Sequence, residues 1–447
     1  MIRADVAGID LGSREHWACG PDLEGGKPNV ETFETTTPEL IKLADWLEAQ
    51  GVKSVAMEST GVFWIPLYEL LEARGFEVIL ANAQILSRVP GRKSDMLDCQ
   101  WIQRLHSCGL LKGSFRPHES ICRWRTLVRS MNRLDEERAD WVRRIQKSLS
   151  EMNVQVHHAV SDITGATGMA ILRAIVSGER DPVVLASFRD KRCRKTEEQI
   201  AEHLTGNWRD EHLFVLQQGL AMYDFILVQL DEYRTQISSV LFELQQQVNI
   251  ETPVPEVACK TKRARMKRRG EEPLRVELFR FCSVDLTSID GISSRSAEIV
   301  LSELGQDLSS FPNENHFISY LGLSPKIARS GGKPIRKRKR GNAPNRIGQV
   351  LKTAACSLKH SKTALGAEYR RIARKKSAGV AVFSIARKLA ILIYRLLRWG
   401  VTYTDEGQDA YENRFQAARL RSCKEFAKSL GYKILPIETP PPLGACL

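Results

Sequence analysis

The chain has 447 residues, enough for two or three domains that each bury a hydrophobic core. Hydrophobic residues make up 43% of it and charged residues 27%, values typical of a globular protein. The net charge of +13 at pH 7 is less ordinary and predicts a polyanionic partner, of which nucleic acid is the simplest.

Secreted and membrane proteins are not expected from this sequence. Residues 1–3 lead directly into a predicted strand, so we expect no signal peptide. The best apolar run, residues 389–394, stops at Arg395 and is far shorter than the ~20 residues of a membrane span. The ten cysteines form no Cys-x-x-Cys pair and no Cys/His cluster, which favours reduced thiols over disulfides or zinc ligands. We therefore expect a cytoplasmic, nucleoid-associated protein.

Residues 1–115 are predicted to form an α/β domain. A first strand over residues 6–11 is followed by residues 16–19 and 30–35, which are expected to pair with it in antiparallel fashion. Helices and strands then alternate: a helix opened by Pro38, a strand at 52–57, a helix at 65–73 and a strand at 76–80. Right-handed strand-helix-strand units imply a parallel section of sheet, with the ligand site at the carboxyl ends of its strands.

Four acidic residues fall where such a ligand site is expected. Asp10 and Glu58 each end an apolar strand, and Asp95 and Asp98 lie three residues apart at the start of a predicted helix, on one face. Carboxylates favour hard divalent cations, so the four could hold two ions for phosphodiester chemistry, with Mg²⁺ expected and Mn²⁺ as the alternative. Each acid alone is more often a turn or helix-cap residue. Their order among the strands and helices, however, is the layout of an RNase H-like (RuvC-like) domain.

Residues 116–250 are predicted to form long, charged helices. Apolar residues recur in heptads, interrupted only by Arg234. One heptad position holds Leu216, Tyr223, Leu230, Ile237 and Leu244, and the other holds Leu213, Leu220, Leu227, Leu241 and Val248. The pattern predicts a coiled-coil arm that packs either on the preceding helix or on another subunit, and periodicity alone leaves both open.

Residues 251–283 are predicted to be a basic linker. Three prolines and one glycine bracket residues 260–269, which hold seven cations and no acid. A charge run is usually a solvated segment, but these cations would repel one another without a counter-charge, which favours contact with a phosphate backbone. The residues expected to bind nucleic acid here are Lys262, Arg263, Arg265, Lys267, Arg268 and Arg269.

Residues 284–405 are predicted to form a second, mainly α-helical domain. Residues 286–292 followed by 296–305 resemble a helix-hairpin-helix, although the usual second glycine is replaced by Ser293 and Ser294. Helices are expected at 347–359 and 381–399. Residues 406–447 are expected to be an extension with a disordered tail from Pro440.

A serine in this domain stands in a setting suited to phosphate. Ser330 lies between Arg329 and two glycines, which let the backbone approach a phosphate closely, and arginine neutralises charge that develops on it. Ser330 is therefore a candidate nucleophile toward phosphorus, although a serine in this context is more often an ordinary loop residue. The remaining cations expected to bind nucleic acid are Arg92, Lys93, Arg329, Lys333, Arg336, Lys337, Arg338, Lys339 and Arg340.

Taken in this order, the motifs resemble those of DEDD-type insertion-sequence transposases, which join a RuvC-like N-terminal domain to a C-terminal domain with an essential serine. The resemblance rests on Gly8-Ile9-Asp10, Met57-Glu58-Ser59-Thr60-Gly61, Lys93-Ser94-Asp95 with Asp98, Gly322-Leu323-Ser324-Pro325, Ser330-Gly331-Gly332-Lys333, Gly341-Asn342 and Ala386-Arg387-Lys388-Leu389-Ala390. Members commonly carry an Ile-Ser-Lys triplet before the Gly-Asn, where this chain has a basic run ending at Arg340.

The resemblance implies a transposase or recombinase. Asp10, Glu58, Asp95 and Asp98 would bind the metal, and Ser330 would form a transient phosphoserine link to DNA. A bridge RNA would pair with target and donor DNA, and the acids of one subunit would act beside the serine of another within a dimer or tetramer. Two other hypotheses remain: a hydrolytic nuclease such as a Holliday-junction resolvase, in which Ser330 is a loop residue, and a non-catalytic RNA-binding protein that kept the fold.

Overall fold

The structure is a computed structural model that divides into two compact units, Met1–Arg116 and Pro117–Leu447. It describes residues 3–23, 27–58, 61–81, 95–246, 253–257, 260–324, 329–330, 333–334 and 345–435. The predicted disordered tail, Arg92, Lys93 and residues 336–340 lie outside the described residues.

The first unit is built on a five-stranded mixed sheet. Its strands are β1 (Val6–Leu11), β2 (Glu15–Cys19), β3 (Val30–Glu34), β4 (Ser54–Glu58) and β5 (Glu77–Ala81), in the spatial order β3-β2-β1-β4-β5. β2 is antiparallel to both β1 and β3, whereas β1, β4 and β5 are parallel. The mixed sheet and its helices fit the RNase H-like domain predicted from the sequence.

Helices cover both faces of this sheet. Helices α1 (Thr37–Ala49) and α2 (Trp64–Ala73) share a core with Ile9 and Met57, while α3 (Asp95–Ser107) lies on the face that carries Gly8 and Ala56. Gly8 permits this approach, because a Cβ there would lie 2.5 Å from the carbonyl oxygen of Cys99 in α3. A lone glycine inside a strand often marks such a close approach of backbone.

The second unit contains an antiparallel pair of long helices, α4 (Glu119–Glu151) and α9 (Asp210–Gln246). Two side-chain contacts show the direction: Arg123 forms an ion pair with Glu243 at 2.7 Å at one end, and His212 Nδ1 lies 3.3 Å from a Glu151 carboxylate oxygen at the other. Four short helices lie between them in sequence: α5 (Val156–Ala159), α6 (Ala166–Val176), α7 (Pro182–Ser187) and α8 (Glu197–Leu204). The heptad-bearing helix therefore packs on the preceding helix of its own chain, one of the two alternatives that periodicity left open.

Burial along α9 follows most of the predicted heptad. Leu216, Leu230 and Ile237 are buried, but Leu227 is 39% exposed and Ile226 is buried in its stead. An α-helix has 3.6 residues per turn, so a straight one drifts away from a strict heptad pattern. Coiled-coil geometry itself stays a prediction.

α9 is, among the described residues, the one helix long and apolar enough to cross a membrane by length and composition. Its inner face packs on α4, and Asp224, Asp231, Glu232 and Arg234 interrupt its middle. Charged side chains are costly at the centre of a bilayer.

Further helices complete this unit. They are α10 (Lys260–Arg269), α11 (Glu272–Cys282), α12 (Ser294–Leu304), α13 (Glu314–Tyr320), α14 (Arg346–Ser357), α15 (Ala364–Lys375), α16 (Ala378–Trp399) and α17 (Gly407–Ser429). α14 and α16 confirm the two late helices predicted from the sequence. Short 3₁₀ turns occur at Leu286–Ser288 and Leu358–His360.

The stretch 251–283 contains two helices, α10 and α11, that the sequence did not predict, and its role as a linker stays a prediction. Lysine and arginine are good helix formers, and the glycine and prolines bracket the basic run without interrupting it. The helix-hairpin-helix stays a prediction: Gly291 makes the expected turn with φ +86°, but a 3₁₀ turn precedes it.

Candidate functional site

Asp10 and Glu58 occupy neighbouring positions at the carboxyl edge of the sheet. β1 and β4 pair in parallel with Ile9 opposite Met57, so the next residue of each strand is an acid. Successive side chains alternate between faces, which places both acids on the face opposite Ile9 and Met57, the face that α3 covers. Both acids are partly buried.

Helix α3 runs antiparallel to these two strands. At its last turn, the Ser107 carbonyl accepts a hydrogen bond of 3.0 Å from the Arg3 N–H, and His106 Nε2 lies 2.8 Å from Ser54 Oγ. Arg3 and Ser54 mark the beginnings of β1 and β4. The first turn of α3 therefore lies toward the edge where those strands end.

Asp98 stands in this first part of α3, on the side that faces the sheet. It precedes Ile102 by four residues, and Ile102 packs on Ala56 of β4. Two residues beyond Ala56 is Glu58. The fold thus brings Asp98, Asp10 and Glu58 toward one edge, although they are far apart in sequence.

Asp95 begins the same helix one turn earlier, and its side chain lies outside the described part of the structure. Within the described residues, no group of three His, Cys, Asp or Glu side chains is placed to hold a metal ion. The convergence therefore rests on topology and register, and the four-ligand site stays a prediction.

The donor chemistry fits a hard divalent cation. Two thiols in this unit, Cys19 and Cys99, are buried, and the hydrogen bond that Cys99 donates to Cys19, burial and the charge of Asp10 raise the pKa of Cys99, while the same hydrogen bond lowers the pKa of Cys19. The raised pKa keeps the Cys99 thiol neutral, and a neutral thiol is a poor metal ligand, because the thiolate is the form that binds. The acids at this edge offer carboxylate oxygens, and these suit Mg²⁺ or Mn²⁺.

Sequence reasoning missed the groups that hold α3 in place. Burial, followed by the charge of Arg3, lowers the pKa of His106, which keeps this ring neutral beside Ser54. Gly8 carried a local signal, since it is a glycine inside an apolar strand. No local signal links Ser54 to His106, because the two are brought together only by the fold.

Ser330 lies on one strand of a small β-hairpin in the second unit. β6 (Arg329–Ser330) and β7 (Lys333–Pro334) are antiparallel, and Ser330 pairs with Lys333. The side chains of Arg329, Ser330 and Lys333 lie outside the described residues, so their roles stay predictions.

The basic run of α10 is exposed to solvent on most of its circumference. Arg263, Arg265 and the stretch 267–269 are exposed, whereas Lys262 is partly buried. Lys262 Nζ donates hydrogen bonds to the carbonyl oxygens of Thr287 and Ile289. The predicted set of nucleic-acid contacts therefore divides into five outward cations and one that is engaged within the unit.

An RNase H-like sheet with acids at its carboxyl edge, joined to a helical unit that carries a serine-bearing hairpin, is the arrangement of a DNA transposase. Comparison with family models agrees over both units: residues 7–154 match a model described as DEDD transposase of IS110, and residues 283–370 match one described as transposase of the IS116/IS110/IS902 family. The chain belongs to the IS110 family of insertion-sequence transposases. No curated protein matches it in sequence.

Proposed function

We propose that this transposase cuts and rejoins DNA with two chemistries, carboxylate-bound divalent cations and a serine nucleophile. The observation that carries the proposal is the convergence of Asp10, Glu58 and Asp98 on one edge of the sheet. Asp95, at the start of the same helix as Asp98, would complete the four ligands.

Bound ions would neutralise the phosphate and assist attack on it. The contribution of the chain is to hold the acids in place. β1 and β4 fix Asp10 and Glu58 through their shared register, and α3 fixes Asp98 through its contact with Gly8 and its anchor at His106. Groups carried on strands and helices are positioned more precisely than groups on loops.

Ser330 would carry the covalent step. Its Oγ attacks phosphorus, the bond from phosphorus to one deoxyribose oxygen breaks, and the hydroxyl proton passes to that leaving oxygen. A hydroxyl of the second DNA strand then attacks the phosphoserine, and Ser330 regains its proton. The number of phosphodiester bonds is conserved, so no external energy source is needed.

A structured guide RNA would select the DNA. The resemblance to bridge-RNA recombinases supports this, and the net charge of +13 gives the chain the electrostatics to hold RNA and DNA together. A cytoplasmic, nucleoid-associated location would follow from such a substrate.

The chain would act as a homo-oligomer through α9. Its inner face is taken up by α4, but Phe214, Phe225 and Val228 on its outer face are 62%, 57% and 58% exposed. A second copy of the chain is the partner we propose, because an exposed apolar face of this kind marks an interaction surface.

Phe225→Asp with Val228→Asp should lower the mass measured by light scattering, and Phe188→Asp, at a 43% exposed site elsewhere, should leave it unchanged. An unchanged mass for the double variant would refute this arrangement.

Trapping the DNA adduct tests the serine. Wild-type protein with Mg²⁺, guide RNA and a labelled DNA end should yield a covalent protein–DNA species, and Ser330→Ala should not. Ser429→Ala, which alters an exposed serine at the end of α17, is the matched control and should form the adduct. Cleavage by Ser330→Ala at the wild-type rate, with no adduct in any sample, would favour the hydrolytic nuclease instead.

A further inference from the structure

The basic helix α10 is a strongly charged surface that the chemistry above does not use. In residues 260–269, seven side chains are cations and none is an acid. Five of them are exposed in the structure, namely Arg263, Arg265, Lys267, Arg268 and Arg269. At a rise of about 1.5 Å per residue, the run concentrates its charge within about 15 Å.

Two residues on the opposite side hold the helix against its unit. Met266 is only 4% exposed, and Lys262, one turn earlier, donates hydrogen bonds to the carbonyl oxygens of Thr287 and Ile289. Residues four apart lie on one face of a helix, so Lys262 and Met266 form a single docking stripe. Lys262 is thus engaged with the backbone of the turn before Gly291.

The outward charge is poorly compensated. Arg263 has Glu256 at 3.9 Å and Arg269 has Glu271 at 3.7 Å, both at the limit of an ion pair. For Arg265, Lys267 and Arg268, no acid among the described residues forms an ion pair. Like charges four residues apart destabilise a helix, and a ten-residue helix is marginal by itself. The docking stripe therefore stabilises a helix that would be marginal by itself. An external anion would reduce the repulsion among its exposed cations.

The composition of the exposed face distinguishes the kind of anion. Apart from Ala264, every exposed residue between Arg263 and Arg269 is a cation. A helix that lies in a membrane surface needs an exposed apolar face, which α10 lacks. A duplex backbone, in contrast, carries about one negative charge per 1.7 Å of its axis, so it offers several phosphates within the length of α10.

We propose that α10 is a contact surface for the phosphodiester backbone of a nucleic-acid duplex, with Arg265, Lys267 and Arg268 as phosphate ligands and Lys262 and Met266 as the residues that position the helix. Phosphate contacts orient a protein on a duplex without reading its sequence. The inference stands apart from the metal and serine chemistry, because it concerns binding alone.

A matched pair of triple variants of the full-length chain tests the surface. Arg265, Lys267 and Arg268 are changed to Gln in one, and Arg419, Arg421 and Lys428 on the exposed part of α17 are changed to Gln in the other. Each removes two arginines and one lysine, so net charge is equal. Gln preserves helix propensity.

Binding is measured by fluorescence anisotropy between 50 and 200 mM salt, with a DNA duplex and an RNA duplex of the same sequence. The α10 variant should lose three phosphate contacts, which flattens the slope of log K against log salt by about 2.7 on a DNA duplex. A flatter slope on DNA, on RNA or on both supports the surface and identifies which duplex it holds. A wild-type slope on both duplexes, or an equal change in the α17 variant, would overturn the proposal.

Lys262→Met separates positioning from direct contact. It should speed hydrogen exchange of the α10 amides, because the docking stripe loses its hydrogen bonds to Thr287 and Ile289. Unchanged exchange, together with a slope flatter by about 0.9 as for one lost phosphate contact, would show that Lys262 touches phosphate directly and would overturn its positioning role.

Discussion

Gly8→Ala tests how closely α3 must approach the sheet. The new Cβ would clash with Gln103 N and would lie 2.5 Å from the Cys99 carbonyl oxygen and 2.8 Å from Gln103 Cα. To bring the Cys99 oxygen from 2.5 Å to the 3.4 Å of an ordinary contact, α3 has to move outward by at least about 0.9 Å, and by more to clear Gln103 N. Overpacking of this kind typically costs about 1–3 kcal/mol of unfolding free energy. Asp98 moves with the helix, and a misplacement of about 1 Å can lower the rate of a catalysed step by about 10²-fold.

Gly113→Ala is the matched control in the same unit, because its Cβ would meet Ile79 Cγ2 at an ordinary 3.6 Å. Urea unfolding measures the free energy, and strand exchange in Mg²⁺ measures activity. Gly8→Ala should lower both, and Gly113→Ala should leave both near the wild-type values. If the two variants behave alike, the close packing of α3 on β1 does not position Asp98, and our account of the site geometry fails.

Three further predictions concern stability. Because the pKa of His106 is lowered in the folded protein, protonation favours the unfolded chain, and stability that is present above pH 6.5 is lost as the pH falls below it. His106→Gln should therefore lose less unfolding free energy than the wild type when the pH falls from 7.5 to 5.5. Equal losses in the two proteins would contradict this. The Arg275 side chain is 3% exposed and pairs with Asp285 at 2.7 Å. Arg275→Met leaves that carboxylate without its buried partner, so it should lower the unfolding free energy in urea by about 3–5 kcal/mol. A loss below about 1 kcal/mol would refute the role of this ion pair. Leu216 is buried and Leu227 is exposed, so in thermal unfolding Leu216→Ala should lower the unfolding free energy by about 2–5 kcal/mol and Leu227→Ala by under about 0.5 kcal/mol. Equal losses would show that both leucines are packed as the strict heptad predicts.

The α/β unit was largely predictable because its signals are local. An apolar run that ends in an acid predicts a strand and puts Asp10 or Glu58 at its carboxyl end. Parallel strands bring their carboxyl ends to one edge of a sheet. The direction of α3 was not predictable. It depends on contacts between residues far apart in the chain, such as Ser54 with His106 and Gly8 with Cys99.

In the second unit, fewer structural details could be predicted from the sequence. Its long helices followed from periodicity, but the break in the heptad at Leu227 depends on the course of α9 along α4. The basic run offered no apolar periodicity, so its helix was missed. A single buried side chain, Met266, and the hydrogen bonds of Lys262 hold it, and neither leaves a pattern in the sequence.

Metal binding tests the central claim most directly. Titration of the full-length chain with Mn²⁺, followed by electron paramagnetic resonance, should show saturable binding that Asp10→Asn, Glu58→Gln and Asp98→Asn each weaken by at least about tenfold. Asp5→Asn, an acid before β1 that pairs with Arg3 at 3.2 Å, should bind as the wild type does. Wild-type affinity in all three site variants would show that these carboxylates do not share a cation, and the catalytic account would be wrong.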